Sequence, residues 1–108
     1  MRLTTGIEIE TDAIVKNLKK LTNQIYKLLP NREENIDWKT PLSTIIEELN
    51  GMNNLLSYFH EILFPLLCKL QGLYELEKEE DFFLYRRTIF ECLNLLSSLK
   101  EGVETWQD

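Results

Sequence analysis

The residues best equipped for chemistry here are one histidine, His60, two cysteines, Cys68 and Cys92, and several runs of acids. A helical hydrolase that holds magnesium needs carboxylates repeated a turn apart on facing helices. Glu47-Glu48 is followed by Leu49, Asn50 and Gly51, with no second acid a turn later. Glu77, Glu79, Glu80 and Asp81 fall in a polar connector instead. The cysteines lie far apart with no C-x-x-C spacing, and one histidine with one cysteine is too few for a closed zinc site. There is no Gly-rich phosphate loop, no nucleophile paired with a base, and no Arg-x4–6-His ribonuclease signature. We therefore expect no catalytic residue, no metal and no cofactor.

Three polar features sit within apolar surroundings and have two readings each. Counted at about 100° per residue, His60 falls at the centre of an apolar helical face, which antiparallel pairing would bring near Cys92. It is a metal ligand or proton switch, or else a core histidine bonded to a neighbour; nothing else supplies ligands at metal spacing, so we take the second. Arg86, among Phe82, Phe83, Phe90 and Leu93, either meets an acid or anion across an interface or packs its stem while its head reaches water. Snorkelling avoids the cost of burying a lone charge, and we take that reading. Asn50, Gly51, Asn53 and Asn54 form a weak helical patch. It is a close helix approach, a register-fixing buried Asn53, or a tolerated weak spot.

The elements that carry these residues are legible as stripes. Ile14, Leu18, Leu21, Ile25 and Leu28 alternate spacings of four and three, the mark of an amphipathic helix. Thr11 or Asp12 can cap it and Pro30 ends it, which predicts a helix over 12–29 after an extended arm at 1–11. The segment between Pro30 and Pro41 is polar and reads as a loop. Thr40-Pro41 then starts a second helix, with threonine as cap and proline in the first turn. Its stripe runs Leu42, Ile45, Leu49, Met52, Leu56, Phe59, Leu63, Leu66 and Leu70, predicting one long helix over 41–71. Pro65 removes a hydrogen bond to the Glu61 carbonyl and kinks or splits it; the unbroken phase favours a kink. A connector over 75–80 leads to a last helix over 81–104, striped by Phe82, Tyr85, Ile89, Cys92, Leu96, Leu99, Val103 and Trp106. The expected fold is all-α: residues 12–108 form a single domain, an antiparallel three-helix bundle with a long kinked central helix, or four helices if Pro65 splits it.

Lengths then point to an interface. At 1.5 Å per residue the three helices are about 27, 45 and 35–40 Å long, so the first covers only part of the hairpin made by the other two. The uncovered half holds eight of the eleven aromatic residues: Tyr58, Phe59, Phe64, Tyr74, Phe82, Phe83, Tyr85 and Phe90. A two-helix hairpin cannot bury so many rings alone. Either residues 66–78 fold back at Pro65 or a second chain supplies the cover, and large exposed aromatic patches mark interfaces. The expected interface residues are Phe59, Phe64, Phe82, Phe83, Tyr85, Arg86 and Phe90, with Asn53 and His60 as buried polar groups.

Composition narrows the class. A chain of 108 residues with 12 basic and 18 acidic side chains has a net charge of −6, which opposes a nucleic-acid partner because phosphate contacts need a basic stripe. The first ten residues lack the apolar stretch of a leader, and no apolar run is long enough for a membrane. We expect a cytoplasmic, non-enzymatic interaction module that forms a homodimer or docks a protein partner through its aromatic face. A second reading is a small acidic adaptor or inhibitor, from a mobile element or otherwise, that engages a basic protein site. A third is a metal-dependent hydrolase with an unrecognised carboxylate arrangement.

Overall fold

The three–four stripes become helical backbone, but in four pieces rather than three. The computed structural model describes residues 7–52 and 59–105. Its elements are α1 (Ile7–Glu33), α2 (Lys39–Gly51), α3 (His60–Gly72) and α4 (Phe82–Thr105), with 3-10 turns at Leu73–Glu75 and Glu79–Asp81. Among the described residues there is no strand.

The long central helix is corrected. α2 ends at its C-cap Met52 and α3 begins at His60, whereas Pro65 sits inside α3. The break thus coincides with the weak patch that starts at Asn50-Gly51, where glycine alone costs about 1 kcal/mol of helix propensity relative to alanine. Proline in the second turn of α3 removes only one hydrogen bond, and flanking buried residues hold the turn. Asn53, expected as a buried register-setter, lies outside the described residues, as does Tyr58.

Two short helices in place of one rod change the topology. Lys39 pairs with Glu77 and Ser43 bonds Tyr74, so the start of α2 lies beside the end of α3. Lys20 reaches Glu48 at 3.6 Å, which runs α1 against α2. Lys69 meets Glu91 at 3.1 Å and the Phe59 ring meets Gly102, which runs α3 against α4. Tyr26 touches Phe90 and Arg32 lies over Phe82, which sets α1 against α4. The result is an up-down-up-down four-helix bundle. At Gly102 a Cβ would stand 2.8 Å from the Phe59 ring, so glycine allows the ring to close that end.

The described core draws mainly on the predicted stripes, with Leu29, Ile46 and Leu73 added to them and Phe59 and Phe82 only half-buried. Ile14, Leu18, Leu21, Ile25 and Leu28 of α1 are buried, as are Leu42, Ile45 and Leu49 of α2. Leu63, Leu66 and Leu70 of α3 and Ile89, Cys92, Leu96, Leu99 and Val103 of α4 complete it.

Helix ends explain the remaining differences. α1 begins at Ile7, inside the segment expected to be extended; β-branched residues lower helix propensity by only a few tenths of a kcal/mol, which extension of an existing helix tolerates. It also continues past Pro30, whose missing donor removes one bond in the final turn. It stops at a Schellman motif. Asn35 takes the left-handed conformation (φ 56°), Ile36 N–H donates to the Asn31 carbonyl at 2.7 Å, and Asn35 N–H donates to Arg32 at 3.2 Å. Asparagine tolerates this conformation where most residues do not. α2 is capped by Asp37 rather than Thr40: its Oδ1 accepts from the backbone N–H groups of Lys39 and Thr40 at 3.0 and 3.2 Å. A hydrogen bond from the Thr40 side chain, followed by these backbone bonds, holds the Asp37 carboxyl below its ordinary range.

Candidate functional site

The rings expected in one interface are dispersed by this topology into three places. The first is internal. Tyr85, expected at an interface, is wholly buried, and burial pushes its hydroxyl far above the ordinary phenol range while nearby Arg32 opposes the shift. Trp38 packs edge-on against it, ring centroids 5.1 Å apart. The guanidinium of Arg32 lies 4.6 Å from the Tyr85 ring and 5.2 Å from that of Phe82. From there it donates to the carbonyls of Leu76 and Lys78, each at 2.7 Å. Arg32 therefore fastens the α3–α4 connector to the end of α1. Phe82, expected exposed, is half-buried beneath it. Only a fold can reveal this role for Arg32 and Trp38, because both partners lie more than forty residues downstream of Arg32 in the sequence.

The second place is α3. His60 is exposed, not buried, because reversal before α3 puts it at a helix start rather than mid-rod. Its ring stands 5.6 Å from Phe64, which is also exposed. Together with Asn50, Leu67, Cys68 and Gln71 they line an open cleft of about 280 Å³. Cys68, not Cys92, is thus the cysteine near His60. Cys92 is buried, and burial lifts its thiol to about 12, Lys69 opposing and Glu91 adding to the shift. A thiol so protonated is no nucleophile at neutral pH. Phe59, also expected at the interface, is half-buried against Gly102.

The third place is the outer face of the α1–α4 seam. Tyr26 and Phe90 meet edge to face with centroids 6.4 Å apart. Arg86 lies above Phe90 at 5.4 Å, and Phe83 stands one turn before Arg86, 82% exposed. Tyr26 is 51% exposed and Phe90 37%. On α4 these residues follow spacings of three and four, so they form one continuous strip of helix surface. Tyr26 was not anticipated; the sequence signal was a tyrosine off the α1 stripe, ambiguous without knowing which helix lay beside it.

Elsewhere, an open cleft of about 460 Å³ is lined by residues that include Arg32, Asp37, Trp38, Lys39 and Glu77. Its most prominent charges are already engaged: Lys39 with Glu77, Arg32 with two carbonyls, Asp37 with the α2 N-terminus. Among the described residues no three of His, Cys, Asp and Glu converge on a possible metal position, and no helix is long and apolar enough to cross a membrane. No protein-family model, curated protein or solved structure matches this chain.

Proposed function

We propose that this protein is a non-enzymatic interaction module that docks a protein, a second copy or another chain, through the outer α1–α4 face. The observation that supports this most is the exposure of Phe83, Tyr26 and Phe90 in one strip beside Arg86. Rings left in water forgo burial worth about 1.5–3 kcal/mol each, and the core formed by the helical stripes is wholly buried without them. The earlier interface set narrows to Phe83, Arg86 and Phe90, joined by Tyr26. Two free thiols, one of them exposed, suit a reducing compartment.

The test separates docking from folding. Phe83→Ser should keep helical circular dichroism and shift the melting temperature little. Phe90→Ser, at a ring 37% exposed that packs on Tyr26, should keep helical circular dichroism with a moderate fall in melting temperature. The same variants should lose association, read by sedimentation for a second copy and by co-purification with an identified partner for another chain. Loss of helix on Phe83→Ser, or association indifferent to both changes, would remove the proposal.

A further inference from the structure

We infer, building on that docking role, that the α1–α4 face receives an acidic amphipathic segment of another protein, whose carboxylate pairs with Arg86. The first ground is the state of Arg86. Among the described residues it has no carboxylate partner and only the Phe90 ring beneath it, whereas its neighbour Arg87 reaches Glu91 at 3.6 Å. A guanidinium lying on an aromatic plane at the centre of an apolar strip is pre-organised for a carboxylate, since the ring fixes its plane and shields one side from water.

The second ground is charge. The protein carries −6 overall. Arg87 is held by Glu91, which Lys69 of α3 also engages at 3.1 Å, and Glu79, Glu80 and Asp81 precede the strip. Arg86 thus stands as a cation with no carboxylate of its own among the described residues. A partner carboxylate set against Arg86 would supply the counter-charge that the protein itself does not place there.

The same charges disfavour a second copy. An isologous pairing about this strip brings Arg86 toward its own symmetry mate instead of toward a carboxylate. A heterologous pairing with the acids of another copy does not close and leads to open chains. The spacing of Phe83, Arg86 and Phe90 at three and four residues matches one face of a helix, which suits a partner segment laid along the seam with apolar anchors at corresponding intervals.

A displayed library of random helix-forming peptides, selected on the immobilised wild-type chain, tests this. The expected winners carry Asp or Glu within a turn of Leu, Phe or Trp. A purified winner should bind Arg86→Glu at least about tenfold more weakly than wild type, with Arg86→Lys between them. Phe83→Ser should weaken it comparably, and all variants should keep wild-type circular dichroism. Winners without acidic enrichment, or indifferent to Arg86→Glu while sensitive to Phe83→Ser, overturn the inference and leave the docking role standing. A wild-type dimer that Phe83→Ser dissociates does the same, as does binding to anionic lipid vesicles that Arg86→Glu abolishes. No enrichment, or winners insensitive to both Phe83 and Phe90, overturns the inference and the docking role together.

Discussion

Tyr26 of α1 and Phe90 of α4 cross edge to face at 89°, and both rings stay partly exposed. They close the seam between the two longest helices and at the same time form the floor of its exposed strip. Edge-to-face ring pairs contribute about 0.5–1.5 kcal/mol beyond their buried area, and a half-exposed pair belongs at the lower end. A double-mutant cycle with Tyr26→Leu and Phe90→Leu in urea denaturation should return a coupling of about 0.5 kcal/mol. A coupling indistinguishable from zero would separate the two rings energetically.

Arg32 should matter more to stability than any exposed arginine. Its two hydrogen bonds to the Leu76 and Lys78 carbonyls join the connector to α1. Arg32→Met keeps the stem over Tyr85 but removes both donors, for an expected loss of about 2–3 kcal/mol in urea denaturation. Arg32→Lys should recover less than half, because an ammonium lacks the planar fork that reaches two carbonyls while stacked on rings. Full recovery by lysine would reduce the role of Arg32 to its charge.

Asp37 gives the acid side of the stability curve a definite sign. Its carboxyl is held below the ordinary value of 3.8, so the unfolded chain binds the proton more readily. Its contribution is present above about pH 4 and fades as pH falls through the lower folded value. Asp37→Asn should cap α2 nearly as well at neutral pH while removing this share of the acid dependence, whereas Asp37→Ala should lower the melting temperature throughout. Melting curves from pH 2 to 7 check this; an unchanged acid slope in Asp37→Asn would contradict it.

The helices were legible in the sequence because burial has a period. Each leucine or isoleucine of the α1 stripe from Ile14 to Leu28 is buried, and α4 runs Phe82–Thr105 where the pattern predicted 81–104. The topology was not legible. A stripe from Leu42 to Leu70 keeps its phase whether it is one rod or two helices folded together, since each half needs its own apolar face. The backbone weakness at Asn50-Gly51 outweighed the proline, and that decided the fold. The same reversal moved His60 to the surface and Tyr85 under Trp38. It left Phe83 and Phe90 exposed, for reasons the lengths alone had not captured. Tyr26, Arg32 and Trp38 escaped notice because their roles depend on which helix lies beside them.

The cysteines differ in chemistry because they differ in burial. Cys68 is exposed on α3, and Cys92 is buried with its thiol pushed up to about 12. In native buffer at pH 8, a thiol reagent such as dithiobisnitrobenzoate should modify Cys68 readily and Cys92 only after denaturant is added. Cys68→Ser should abolish the fast phase. Rapid modification of Cys92 in the folded chain would contradict the packing of α4.

The most direct test of docking through the α1–α4 face is site-specific photo-crosslinking inside cells that naturally make this protein. A benzophenone side chain is placed at Phe83 or Phe90, and at the exposed positions Asn17 and Glu47 as controls. The docking role predicts a discrete protein adduct from positions 83 and 90 that is absent from 17 and 47; its loss on adding Arg86→Glu is the result expected of the acidic partner. Equal labelling at all four positions, or none at 83 and 90, would contradict it.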